Sequence, residues 1–352
     1  MTRPDPAILD ALEHMLDAQC DAEVLRAADG SWAAELWQHL NDAGVPRTWI
    51  PETQGGAGAS WFDGLGVCRV AARYAAPVPL AETLLAAHVL HANDVTVPAG
   101  VLNVVCPQAY DSLRCDRQGR LHGELNRVAY GRVLDGLVVV FDDHEETRLA
   151  VLPGEVLGVT EAENLAGEPA DQVFLSEVLP SAMVAVPADT CEFVKRVGAT
   201  LRCQQMAGAL EHLLSRSIAY ASTREQFGRP VAKFQAVQHN LADLAGEVSA
   251  SCAAANAAGS SIARCGVLSD QAFVAVASAK IRSGQAASNG ASIAHQVHGA
   301  MGFAREYPLH HYSRRLWVWR DDFGAETEWA ETLGQFVAQQ GADALWPTLT
   351  AI

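Results

Sequence analysis

The residues after Pro187 constrain the fold more than any other part of the chain. They are rich in alanine, helical in period and interrupted only briefly, so they divide into four long segments at about 188–222, 231–260, 268–298 and 308–340. Helices of that length with short connections bury their apolar faces by packing side by side, which predicts a four-helix bundle. The second segment shows the pattern plainly: Phe234, Val237, Leu241, Leu244 and Val248 fall at the spacing of one buried helical face. The corner before it, Thr223 to Pro230, reads as a polar turn. Gly228 relieves the backbone there, and Pro230 disfavours α-conformation at Arg229.

Upstream, residues 5–45 read as amphipathic helices, with Ile8, Leu12, Met15 and Leu16 on one face and Leu36, Trp37 and Leu40 on a second. Gln54 to Gly58 form a glycine-rich loop. No strand-turn-helix frame or Lys-Ser/Thr accompanies it, so it reads as a structural turn rather than a phosphate cradle. Trp61–Tyr74 and Leu80–Leu90 are further helices, separated by Pro77 and Pro79. Between about 100 and 182 the period changes. Val101–Val105, Leu137–Phe141, Arg148–Leu152 and Gln172–Leu175 are short β-rich runs separated by turn residues, which predicts a small antiparallel β domain. The expected fold is α+β and mostly α: an N-terminal helical domain over 1–99, a reduced β domain over 100–183, and a helical bundle over 184–352.

Composition narrows the partners. With 49% hydrophobic and 19% charged residues the chain reads as a soluble globular protein, and a net charge of −16 argues against nucleic acid and against an anionic membrane surface. An anionic ligand is still compatible, because Arg224 and Arg229 form a local basic cluster. The eight cysteines stand singly, without C-x-x-C or zinc-like spacing, as expected of reduced core thiols in a cytosolic protein. The N-terminus lacks an apolar core segment, and no run of about eighteen apolar residues occurs, so neither a signal peptide nor a membrane span is expected.

The corner at Arg224, Gln226, Phe227 and Arg229 admits two readings. It is a solvated helix–helix corner, or a site for a flat phosphorylated ligand, with a guanidinium for pyrophosphate and a ring for a base. T-R-E-Q-F-G-R-P followed by F-Q-A-V-Q-H-N-L-A-D resembles a signature of the acyl-CoA dehydrogenase family. About seventy residues later, Gln296 to Phe303 (Q-V-H-G-A-M-G-F) is similar to that family's second glycine motif, with Ala300 where a glycine is commoner. The resemblance implies FAD, α,β-dehydrogenation of an acyl-CoA, and contacts to the ADP half of the cofactor from Arg224, Gln226, Phe227, Gln296, Gly299 and Gly302. It also implies an electron-transfer flavoprotein or similar acceptor.

Two parts of the family pattern are changed. The stretch that usually opens the β domain and serves the flavin ring is missing, its place taken by V-L-N-V-V-C-P-Q-A-Y. The family's usual base position falls on Phe323-Gly324, and its second location on Gly198, with Leu201 nearby. A one-residue shift makes Asp322 the candidate base. Otherwise Asp321 and Asp322 read as N-caps for the next helix. The resemblance therefore points to a short subunit of a heteromer, an α2β2 assembly with a longer acyl-CoA dehydrogenase-like partner, of the kind that degrades large acyl-CoAs such as steroid side chains. A self-sufficient homomer using Asp322 and a non-catalytic scaffold are the alternatives. His310, His311, Arg314 and Arg315 read either as a solvated face or as contacts for CoA phosphates. Trp317, Trp319 and Trp329 read as packing residues.

Overall fold

The computed structural model describes residues 3–144 and 146–350. In chain order the elements are α1 (Pro6–Gln19), α2 (Ala22–Ala27), α3 (Ala34–Asp42), α4 (Trp61–Arg73) and α5 (Leu80–Ala92), then strands β1 (Leu102–Val105), β2 (Ser112–Cys115), β3 (Leu121–Ala129), β4 (Gly136–Asp143), β5 (Glu146–Pro153), β6 (Gly158–Thr160), β7 (Ala170–Val178) and β8 (Ala182–Val186). There follow α6 (Thr190–Thr223), the short strands β9 (Glu225–Gln226) and β10 (Arg229–Pro230), α7 (Gln235–Cys265), α8 (Asp270–His298), α9 (Leu309–Asp321), α10 (Glu326–Gln340) and α11 (Leu345–Thr350). The chain divides into two compact units. One holds residues 26–64 and 77–198; the other holds the N-terminal segment to Leu25, residues 65–76, and the chain from Ala199 onward.

The first unit carries the sheets. Their strand orders are β1-β4-β5-β8 and β2-β3-β7-β6. Every pair within them is antiparallel except β1 and β4, which run parallel with Leu102 opposite Gly136 and Val105 opposite Val139. That pair departs from an all-antiparallel expectation. A parallel neighbour needs a long return path, and β2, β3 and the segment after them provide it. Strand β4 is central, and Leu137 to Val140 are completely buried. Helix α5 is buried over most of its circumference, with Leu80, Ala81, Leu84, Leu85, Ala86, Ala87, Val89 and Leu90 all enclosed. Thr83 docks it on β1: its hydroxyl accepts from the Leu102 N–H and donates to the Leu102 carbonyl, both at 3.1 Å. Asp171 is fully buried, and Arg132 meets it through Nε and Nη2.

The second unit is the bundle. Small residues let its helices approach closely: Ser251 on α7 donates to Ser283 on α8 at 3.1 Å, and Ala255, Ala258 and Ala287 are buried. Gly208 on α6 marks the tightest approach, since a Cβ there would lie 2.1 Å from the Arg69 carbonyl oxygen of α4. The expected fourth segment is two helices, α9 and α10, separated by a sharp break. At the break Phe323 and Gly324 take positive φ, 55° and 99°. Lys280 of α8, buried at 1% exposure, fixes the end of α9 by donating to the carbonyls of Trp319, Arg320 and Asp322 at 3.1, 2.9 and 2.6 Å. A helix terminus leaves its last carbonyls without intrahelical donors, and this ammonium supplies them. No helix among the described residues is long and apolar enough to cross a membrane.

Candidate active site

The first motif is a β-ribbon rather than a simple turn. Gln226 pairs with Arg229 and Glu225 with Pro230, leaving Phe227 and Gly228 as a two-residue loop. Both loop residues have positive φ, 53° and 77°, the requirement of a type I′ hairpin. Glycine adopts that backbone without strain; phenylalanine does not. The Phe227 ring is 91% exposed and stands edge-on to Phe234 at 6.1 Å. Arg229 lies over the Phe234 ring at 4.3 Å, a cation–π contact that orients its guanidinium. Arg224 and Gln226 are exposed on the same ribbon.

The second motif ends α8. Gln296 is exposed, and Gly299 turns the chain with φ 58° and open space where a Cβ would stand. Gly302 is buried instead: a Cβ there would meet His298 Cβ at 3.1 Å and Leu309 Cδ2 at 3.2 Å. One ring stack brings the two motifs together. Tyr220, one turn before Arg224, stacks on His298, the residue before Gly299, with centroids 4.5 Å apart. Tyr307 closes on the His298 ring at 5.2 Å, and Arg216 lies over the Tyr307 ring at 5.3 Å. His298 is only 2% exposed, and its Nδ1–H donates to the Ala294 carbonyl at 2.8 Å. Burial holds its pKa below the ordinary histidine value, so the ring is neutral and packs as an aromatic. Arg224, Gln226, Phe227, Gln296 and Gly299 are thereby gathered at one end of the bundle.

That end fits the ADP half of a dinucleotide. It offers an exposed guanidinium for pyrophosphate, an unstacked ring face for a base, an amide with donors and acceptors, and an open glycine where a ligand can approach the backbone. Bound there, the residues that would hold FAD are Arg224, Gln226, Phe227, Gln296 and Gly299.

Asp322 stands elsewhere. It follows α9 as a C-terminal cap, and its Oδ2 accepts from Arg202 Nε of α6 at 2.9 Å. Arg202 also donates to Gln205 Oε1 at 2.7 Å and lies 5.8 Å from the Phe323 ring centroid. Neither acidic residue caps α10: its N-cap is Ala325, and Asp321 pairs with Arg320 at 2.9 Å. The Asp322 side chain is 36% exposed and the Arg202 side chain 8%. A carboxylate that neutralises a nearly buried guanidinium has that lone pair occupied, which suits an ion pair better than proton abstraction.

The two stations are far apart. Arg224, just past the end of α6, lies twenty-two residues beyond Arg202, a rise of about 33 Å, and eighteen residues of α8 separate Lys280 from His298, about 27 Å.

Sequence reasoning passed over Arg202, Lys280, Arg216 and Tyr220. Arg202 and Lys280 left a signal, each being a charge set among apolar residues on a core-forming helix. The aromatic stack left none, because Tyr220 and Tyr307 are eighty-seven residues apart. The stretch read as either a solvated face or a CoA site is neither uniformly exposed nor free: His311 and Arg315 are buried at 3% exposure, and Arg315 donates to the His311 carbonyl at 3.0 Å. Trp319 and Trp329 are buried, as packing residues are.

Comparisons with known proteins agree with this geometry. The family model described as acyl-CoA dehydrogenase, C-terminal domain, matches residues 196–320. The acyl-CoA dehydrogenase IpdE2 of Mycobacterium tuberculosis is 27% identical over 296 residues, covering 82% of both chains. The acyl-CoA dehydrogenase FadE34 of the same organism is 30% identical over 280 residues, which is 76% of this chain and 37% of that protein. Among solved structures, a chain of the ChsE4–ChsE5 complex from Mycobacterium tuberculosis superposes with a TM-score of 0.87 at 24% identity, over 97% of this chain and all of that one, which establishes the fold. The signature ribbon, the glycine motif beside it, the helices that carry them and these relatives agree, and the chain belongs to the acyl-CoA dehydrogenase family of oxidoreductases acting on CH–CH bonds.

Proposed function

We propose that this chain is the short subunit of a heteromeric, FAD-dependent acyl-CoA dehydrogenase, clamping the ADP half of a flavin whose ring and catalytic base belong to a longer partner subunit. The observation that carries the proposal is the state of the Asp322 break. By the resemblance, the family's carboxylate position falls on Phe323, and in the structure the neighbouring Asp322 is committed to Arg202. The cofactor corner lies about 30 Å away at the other end of the bundle, so one chain's corner and one chain's base position serve different active sites. The similar ChsE4–ChsE5 structure is of a complex with two named components, which supports a heteromer here.

In the reaction a carboxylate removes the α-proton of the thioester and the β-hydrogen leaves with its electron pair. Bound FAD supplies the hydride acceptor. This chain's own part is binding and orientation. Arg224 offsets pyrophosphate charge, Phe227 covers the adenine, and Gln296 with the Gly299 backbone fixes the approach. The expected substrate is a bulky acyl-CoA of the steroid side-chain class, the acceptor an electron-transfer flavoprotein, and the setting the cytoplasm, where dispersed thiols stay reduced.

Arg224→Ala in the assembled complex tests the clamp. The expected result is loss of FAD from an intact heteromer, with retention recovered as FAD is added in excess. Full FAD retention and full turnover in that variant would reduce the chain to a scaffold.

A further inference from the structure

Strand β1 ends at Val105, paired with Val139 of the parallel strand β4. The next residues along the two strands are Cys106 and Val140. Cys191, in the first turn of α6, places its Sγ 3.7 Å from the Val140 carbonyl oxygen. Two thiols eighty-five residues apart in sequence therefore converge on the same strand residue, and their side chains hydrogen-bond to each other. Both are free thiols and both are half-buried. Cys20, Cys68 and Cys203 are buried, while Cys265 is exposed.

We infer that Cys106 and Cys191 form a redox pair that closes to a disulfide when a peroxide reaches them. The hydrogen bond from the Cys106 thiol holds Cys191 below the usual thiol range, and the same bond with burial pushes Cys106 up, so Cys191 is the attacking sulfur. Its thiolate attacks one peroxide oxygen, the O–O bond breaks, and a sulfenic acid forms as the other oxygen leaves as water after protonation. The Cys106 sulfur then attacks the sulfenic sulfur, an S–S bond forms, the S–O bond breaks, and a second water leaves with the Cys106 proton. Two thiols lose two electrons and two protons; the peroxide is reduced to two waters. The resolving thiol is already in contact, so disulfide closure outruns further oxidation of Cys191. The bond ties the exit of β1 to the first turn of α6, closing a loop of eighty-five residues within the first unit. In a reducing compartment it is a reversible modification, not a structural staple.

The test uses the full chain. It is treated with hydrogen peroxide, alkylated with iodoacetamide, digested without reductant and mapped by mass spectrometry. The expected result is a cross-linked Cys106–Cys191 peptide two mass units lighter than its two reduced parts, with Cys265 still alkylated and the pair restored by dithiothreitol. The melting temperature of the oxidised chain is expected to rise by about 5 °C, an increase absent from Cys106→Ser and Cys191→Ser. Alkylation of both cysteines as in untreated protein, pairing of either with a different cysteine, or sulfinic acid at Cys191 without the cross-link would overturn the inference. So would an equal thermal shift in the serine variants.

Discussion

Replacing Asp322 by asparagine separates an ion-pair role from a catalytic one. The carboxylate accepts from Arg202 at 2.9 Å, and the partners differ in exposure, 36% for Asp322 and 8% for Arg202. Asparagine keeps the shape and one acceptor oxygen, so the hydrogen bond survives in weaker form and the negative charge that Asp322 sets beside Arg202 is lost. Two unit charges about 4 Å apart interact by roughly 4 kcal/mol at an effective dielectric constant of 20. Exposure of the carboxylate and the retained hydrogen bond reduce the net cost to about 1 kcal/mol, or about 2 °C in melting temperature for a chain of this size. Turnover of the assembled enzyme is expected to stay within about threefold of wild type, because no proton is taken by this group, whereas losing a general base costs about 10²–10⁴ in rate. The assay is steady-state reduction of an artificial electron acceptor by the purified heteromer, with flavin content measured on the same sample. A hundredfold fall in kcat at unchanged flavin content would refute the assignment and make Asp322 the base.

Three further outcomes follow from particular residues. Phe227→Asn relieves a left-handed backbone that asparagine tolerates, so the isolated chain is expected to gain about 0.5–1 kcal/mol in urea denaturation while the heteromer binds FAD more weakly; a variant that is less stable would contradict the hairpin. Lys280→Met leaves the carbonyls of Trp319, Arg320 and Asp322 without their shared donor, and a loss of about 3 kcal/mol or more is expected by the same method, with a change below about 1 kcal/mol arguing against the clamp. Burial lowers the pKa of both His88 and His212 from 6.5 to about 4. The unfolded chain therefore binds more protons than the native one between pH 6.5 and 4, and stability falls as pH is lowered through that window. His88→Gln and His212→Gln are each expected to flatten that slope by about one proton, and an unchanged slope in both would refute the burial argument.

The fold was legible where a local pattern determined it. Periodicity marked the long helices because each buries one face over many turns, and the β-rich runs stood out because Leu137 to Val140 have no polar residue to share a surface. The break at Phe323-Gly324 was hidden inside a helical period that continues on both sides of it. What ends α9 is Lys280, forty or so residues earlier on another helix. The parallel pairing of β1 with β4 was also beyond reach, since nothing within a four-residue strand states its partner. At the site, both motifs could be named from residue order. Their meeting depends on Tyr220 stacking on His298, a contact between two helix ends with no trace in local spacing. The commitment of Asp322 to Arg202 was equally hidden, because a carboxylate at a helix end reads the same whether it caps, titrates or pairs.

The central claim is that half of a flavin site resides here and the other half in a partner. The most direct measurement is the visible absorption spectrum and solution mass of the chain purified alone, then co-purified with a longer acyl-CoA dehydrogenase subunit. The account predicts a colourless chain by itself, and a yellow complex of both subunits with one FAD for every two chains. A yellow homo-oligomer with one FAD per chain would contradict it.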